Sequence, residues 1–289
     1  LHATNTSAAA GGSPAAPLRR HARKVGPWSL AGLAALAAAF LGLPILVLVA
    51  RPVLDGSLVD ALTSRVVLDA LTLSLVTTAI SLLLTVAFGL PVAILLARRS
   101  FRGSSLLEAV INLPIVLPPS VAGLALLLTL GRQGFLGAPL SAAGLEIPFT
   151  TVAVILAQTF VSAPFFILSA RTGIAGVDHD LEDAARVDGA SEPQLFRRIT
   201  MPLAGAALAA GLVMCWARSL GEFGATIMFA GNVEGRTQTL PLVVYGEFQG
   251  GNLDRSVAAA TILVLAALGV LIAVRVLRWG HLDELRGIS

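Results

Sequence analysis

Lysine is nearly missing from this chain: Lys24 is the only one in 289 residues. A phosphate-cradling loop ending in Gly-Lys-Ser/Thr therefore cannot be built, and any nucleotide hydrolysis belongs to another chain. Cysteine is equally scarce. Cys215 stands alone inside an apolar run, which excludes an intrachain disulfide and suits a small packing residue. The four histidines, His2, His21, His179 and His281, are scattered without metal-ligand spacing, so neither a metal nor a cofactor is expected. His-Glu-x-x-His, Gly-x-Ser-x-Gly and clustered carboxylates are all missing, which ranks an intramembrane enzyme last among the possible classes. Charge is thin too, at 13% of residues. The net +3 could suggest nucleic acid, but the arginines gather beside apolar stretches, so that partner is not expected.

What the chain has in abundance is apolar length. Hydrophobic residues make up 56% of it and the mean hydropathy is +0.84, the composition of an all-α polytopic membrane protein whose partner is the lipid bilayer. Residues 1–27 read as a disordered basic tail, with Arg19, Arg20, Arg23 and Lys24 ahead of the first apolar run. That run, Trp28 to Ala50, is too long for a signal-peptide core and is expected to remain as an anchor. Five more spans are expected near Ala70–Ala97, Leu107–Leu130, Phe149–Arg171, Pro202–Ala230 and Ser256–Leu277, giving a six-helix domain over 28–277 and a short tail over 278–289. One set of connecting segments carries 14 of the basic residues and the opposite set 5, with Arg218 inside a span. Both termini are therefore expected on the cytoplasmic side.

The longest strongly charged interval, Asp178 to Pro202 (DHDLEDAARVDGASEPQLFRRITMP), lies on that same side between two spans. It reads as helix, turn, helix. Asp178 can N-cap the first helix, with Asp180, Glu182 and Asp183 near its positive end. Leu181, Ala184 and Ala185 share a face, and Gly189 falls where a left-handed residue would end the helix. Ser191 with Gln194 forms a capping box for a second helix, whose apolar side is Leu195, Phe196 and Ile199. Pro202 predicts a bend into the next span. By spacing alone, an amphipathic connector lying on the membrane and a helix docked in a partner's groove are equally good readings.

This interval resembles the EAA loop of bacterial ABC-importer permeases, Glu-Ala-Ala, three residues, Gly, nine residues, Ile-x-Leu-Pro. Here the register is Asp183-Ala184-Ala185, Gly189, Ile199 and Met201-Pro202, with Asp183 in place of Glu and Met201 in place of Leu. The resemblance implies a type I ABC-importer transmembrane domain of six helices and a coupling helix docked on a cytoplasmic ATPase. The coupling residues it implies are Leu181, Glu182, Asp183, Ala184, Ala185, Gly189, Ala190 and Phe196. The run GEFGATIMFAGNVEGRTQTLPLVVYGEF, together with INLPIVLPPSVAGLALLLTLGRQGFLG and FRRITMPLAGAALAAG, is similar to molybdate, tungstate and sulfate permeases, and most like the molybdate branch. That similarity implies two copies of this subunit, two cytoplasmic ATPases and an extracytoplasmic oxyanion-binding protein in a bacterial cytoplasmic membrane. Sulfate or thiosulfate is the runner-up cargo.

Two spans are irregular. The third holds Asn112, Pro114, Pro118, Pro119 and Gly123; freed carbonyls there must face protein or a watery path, so transport lining and a packed kink are both open. The fifth begins with small residues from Gly205 to Gly211, an interface within the subunit or across a dimer, and continues to Arg218-Ser219-Leu220-Gly221-Glu222. Arg218 and Glu222 are four apart and can meet, either as pathway lining or as a neutralised packing pair. The polar residues expected along the path are Asn112, Ser120, Arg218, Ser219, Glu222 and Thr226. A channel or secondary transporter working without ATP is the rival class, with Arg218 and Glu222 as its proton-linked element.

Overall fold

The structure is a computed structural model that describes residues 27–286, with side chains described over 31–272. Every regular element among the described residues is helical. The disordered tail expected over 1–27 lies outside the described residues except for Pro27, and of the tail over 278–289 the last three residues do. The chain divides into two units, residues 1–46 and 47–289. The described part of the first is the bulk of one helix, α1 (Pro27–Leu54), with an apolar stretch from Ala31 to Leu54 long enough to cross a bilayer.

The second unit continues through α2 (Ser57–Thr63), α3 (Arg65–Arg98), α4 (Ser104–Val116), α5 (Pro119–Leu130), α6 (Gly137–Ala142) and α7 (Thr151–Ala175). After them come α8 (His179–Val187), α9 (Glu192–Leu195), a π turn (Phe196–Thr200), α10 (Met201–Leu220), α11 (Gly224–Phe229), α12 (Leu240–Gln249) and α13 (Leu253–Arg286). At 1.5 Å per residue, α3 is about 50 Å long, well beyond the roughly 30 Å apolar core of a bilayer. Its Arg98 end therefore reaches past that core when its middle spans it.

The centre of this unit is α7, packed along α3 and α10. Lipid tails are as apolar as leucine, so close packing holds membrane helices together where hydrophobicity cannot. The contact is accordingly made by small residues: Ala93, Ala170 and Ala204 are buried with Phe166, Ile174 and Leu208. A Cβ on Gly173 would lie 2.5 Å from that of Ala207, and one on Gly211 would lie 2.7 Å from Ser169 Cβ. The small residues at the start of the fifth span thus make an interface inside the subunit, while Ala206 and Ala210 remain exposed on the other side of α10. A seam of hydroxyls runs along the buried face of α3 at Ser74, Thr77, Thr78, Ser81 and Thr85. Ser74 accepts a hydrogen bond from the Leu240 N–H at 2.8 Å, and Ser81 one from the Thr159 hydroxyl at 3.0 Å.

Two of the expected spans differ from the structure. The third is broken: α4 and α5 meet at 119°. Leu117 and Pro118 each precede a proline, which disfavours helical backbone, and both are extended, with ψ of 134° and 135°. The fifth ends at Leu220 instead of Ala230, because Gly221 to Phe223 leave the helix and α11 starts afresh at Gly224. At the start of that span Pro202 does not break the helix. Met201 is helical (φ −64°, ψ −45°), and Glu192 to Leu220 form one continuous stretch. The preceding π turn widens the backbone one turn below the proline, so its ring does not force a break.

Candidate functional sites: a knuckle and a pair of broken helices

Between α7 and α10 the chain makes a compact knuckle. The Asp178 side chain accepts from the Asp180 N–H at 3.0 Å and caps α8. The far end closes as a Schellman turn: Ala190 N–H donates to Ala185 O at 2.9 Å and Gly189 N–H to Arg186 O at 3.0 Å. Gly189 is left-handed, φ +85°. Ser191 N–H donates to Gln194 Oε1 at 2.9 Å, and the expected capping box is present. On the outer side, Arg186 bonds Glu192 at 2.8 Å and Asp183 at 2.7 Å, and these carboxylates raise its guanidinium above the ordinary arginine range.

Glu182 and Asp183 are neighbours in sequence and opposite in fate. Asp183 points outward, with 70% of its side chain exposed, whereas Glu182 is 1% exposed and is the one buried residue of α8. Its carboxylate is gripped from two further elements. Arg98, at the end of α3, donates from Nη1 to Oε2 at 2.7 Å and from Nη2 to Oε1, and the Thr200 hydroxyl donates to Oε1 at 2.6 Å. His179 Nδ1 lies 3.7 Å from Oε2. Such bidentate, charge-assisted bonding offsets the cost of desolvating the carboxylate.

The rest of α8 is left open. Leu181 is 51% and Val187 87% exposed, Ala184 is exposed, and Ala185 and Ala190 are partly covered. Phe196 is partly buried beside buried Leu195. Of the residues expected to couple, Leu181, Asp183, Ala184 and Gly189 therefore share the open surface, and Glu182 turns inward. Arg98 and Thr200 had no signal of their own in the sequence beyond a positive charge near a helix end and a hydroxyl beside a proline.

The second cluster forms where the two broken segments meet. A Cβ on Gly123 of α5 would lie 2.6 Å from Ala225 O, and one on Gly224 would lie 2.8 Å from Pro119 Cβ and 3.1 Å from Ser120 N. The backbones of α5 and α11 thus touch, and only glycine permits it. Glu222, 1% exposed, caps α11 by accepting from the Ala225 N–H at 2.6 Å and pairs with Arg218 at 2.5 Å. Arg218 keeps 28% of its side chain exposed, and Ser120 is exposed at the start of α5. Ser219 and Thr226 are fully buried, their hydroxyl oxygens without a protein partner among the described residues. Asn112 sits on α4, across the bend from this group, partly buried. The structure thus brings together Ser120, Arg218 and Glu222 around the α5–α11 contact and leaves Asn112 apart. No group of three or more His, Cys, Asp or Glu suited to a metal occurs among the described residues.

Residues 89–279 match the family described as binding-protein-dependent transport system inner membrane component. The chain belongs to that family. It contains the knuckle, both broken helices and all of their polar groups within the matched residues. Relatives include the molybdenum transport system permease protein ModB of Mycobacterium tuberculosis, 44% identical over 205 residues, covering 71% of this chain and 77% of the relative. The ModB of Escherichia coli K12 is 39% identical over 208 residues, covering 71% and 91%. Among solved structures, a bacterial alginate ABC transporter in complex with an alginate-loaded periplasmic protein superposes with a TM-score of 0.67 over 86% of this chain and 92% of the matched one. At 19% identity that likeness concerns the fold alone: a type I ABC-importer transmembrane domain. As a member of the family the chain is a multi-pass membrane permease subunit.

Proposed function

We propose that this chain is the permease subunit of an ATP-driven molybdate importer, working as a homodimer with two cytoplasmic ATPase subunits and an extracytoplasmic oxyanion-binding protein. The observation that carries the coupling role is the shape of α8: an anchored inner side at Glu182 and an open outer side at Leu181, Ala184 and Val187. A short helix held rigidly by one face and bare on the other suits a groove in a partner. The names of the relatives support molybdate as the cargo.

In this reading the segments before α1 and after α13 face the cytoplasm with the knuckle, in keeping with the arginine distribution. ATP favours the closed ATPase pair, the pair draws the two knuckles together, and the spans turn from inward-open to outward-open. ATP shifts the permease only by as much as it prefers one state over the other. Ser120, Arg218 and the α5–α11 contact border the path, and the exposed Ala206–Ala210 side of α10 faces the second copy. The binding protein carries the selectivity, and a path that held the anion tightly would slow its release.

The test is reconstitution. Membranes holding this chain and its ATPase should import molybdate only with ATP, and tungstate should compete better than sulfate. Uptake without any ATPase chain would refute the proposal in favour of a channel or secondary transporter, and stronger competition by sulfate would reassign the cargo.

A further inference from the structure

We infer that Arg98, Glu182 and Thr200 form a positioning strut, through which displacement of α8 reaches both α3 and α10. The inference rests on the coupling role proposed for α8. One carboxylate joins three elements: Arg98 is the last residue of α3, Glu182 lies in the first turn of α8, and Thr200 closes the π turn below α10. Glu182 is 1% exposed and its two oxygens receive three donors, two from Arg98 and one from Thr200.

The geometry is that of a joint under load. The outer side of α8 is held by bonds within the knuckle, Arg186 to Asp183 and to Glu192, which move with it. The inner side is bonded to elements outside it. A bidentate guanidinium–carboxylate pair fixes orientation as well as distance, which a single bond or an apolar contact does not. From Thr200 the helix continues without a break to Leu220, next to the Arg218–Glu222 pair. From Arg98, α3 runs back along α7. A push on the knuckle is thereby delivered at once to two of the three helices of the central packing.

A role in positioning differs from a role in folding by what it spoils. Loss of fold lowers uptake and ATP hydrolysis together, whereas a slack strut lets the ATPase cycle without moving the spans. The experiment measures anion imported per ATP hydrolysed by the full complex in proteoliposomes, using molybdate with the binding protein present. Glu182→Gln and Arg98→Ala should each lower that ratio at least about fivefold, the low end of typical allosteric couplings. The double variant should be no worse than either single one, because both break the same joint. Arg98→Lys, which keeps the charge and one donor, should recover part of the loss, and Asp254→Asn, at an exposed ion pair with Arg51, should leave the ratio unchanged.

An unchanged ratio in assembled Glu182→Gln or Arg98→Ala complexes overturns the strut. Should either fail to assemble, Thr200→Val removes one donor at constant shape, and an unchanged ratio there overturns it equally. A wild-type complex without ATP-driven uptake overturns the coupling role itself and the strut with it.

Discussion

Placing one methyl group between α5 and α11 isolates the close contact of the broken segments. In Gly123→Ala the new Cβ would stand 2.6 Å from Ala225 O and 2.8 Å from both Ala225 Cα and Met228 Cβ. Ordinary contact begins near 3.4 Å, so the shortfall is about 0.8 Å, and two of the three atoms are backbone that no rotamer change can move. The two helices must separate, and overpacking of this kind costs about 1–3 kcal/mol. The matched control is Gly205→Ala. Nothing lies within 4 Å of its Cβ, and in a helix interior alanine is favoured over glycine by about 0.5–1 kcal/mol. Thermal unfolding of the detergent-solubilised complex should therefore move down for Gly123→Ala and stay level or rise for Gly205→Ala. A Gly123→Ala protein as stable as wild type would refute the claim that these backbones touch.

Three further outcomes are expected. Glu222→Ala removes the cap of α11 and leaves Arg218 without its partner; because Arg218 is 28% exposed, the loss should fall near the lower end of the about 3–5 kcal/mol seen for broken buried pairs, read by the same melting experiment. Gly189→Val forces a β-branched residue to φ +85°, at a cost of about 1–2 kcal/mol or more, and should abolish ATP-driven uptake while membrane insertion, followed by fractionation, is preserved. Asp55 accepts hydrogen bonds from the Ser57 hydroxyl at 2.7 Å and the Ser57 N–H at 3.0 Å, which hold its carboxyl below the ordinary 3.8. Its contribution to the start of α2 is therefore fully present above pH 3.8 and is lost as pH falls through the lowered value. Hydrogen exchange of the α2 amides should be unaltered from pH 7 to 5 and accelerate, relative to intrinsic rates, only below that; the Asp55→Asn protein should lack the transition.

The elements that could be read from the sequence are those fixed by neighbours along the chain. Asp178 as cap, Gly189 as the left-handed stop and Gln194 folding back on Ser191 depend on residues two to five apart, and all three are present. The apolar runs were legible for the same reason, since length and composition alone qualify a helix to span. What escaped depends on distance or on helix phase. Two adjacent acids cannot be ranked by pattern, and the one at the motif position, Asp183, faces solvent while Glu182 is buried against Arg98, 84 residues earlier. Pro118 and Pro119 announced irregularity but not an angle of 119°. Pro202 announced an interruption, yet the helix runs through it with Met201 helical. The fifth span stops ten residues short of Ala230 because Gly221 to Ala230, though mostly apolar, turns back to meet α5, which hydropathy cannot see.

The unbroken run from Glu192 to Leu220 has a consequence for the amplitude of motion. Its 29 residues extend about 43 Å, so it behaves as an oar with its handle at the knuckle and its blade beside the broken helices. A tilt of only about 5° sweeps the blade through about 4 Å. A joint in the shaft would waste that stroke as flexing. In the proposed coupling role, passing Pro202 without a break lets a small motion at the knuckle become a larger one near Leu220.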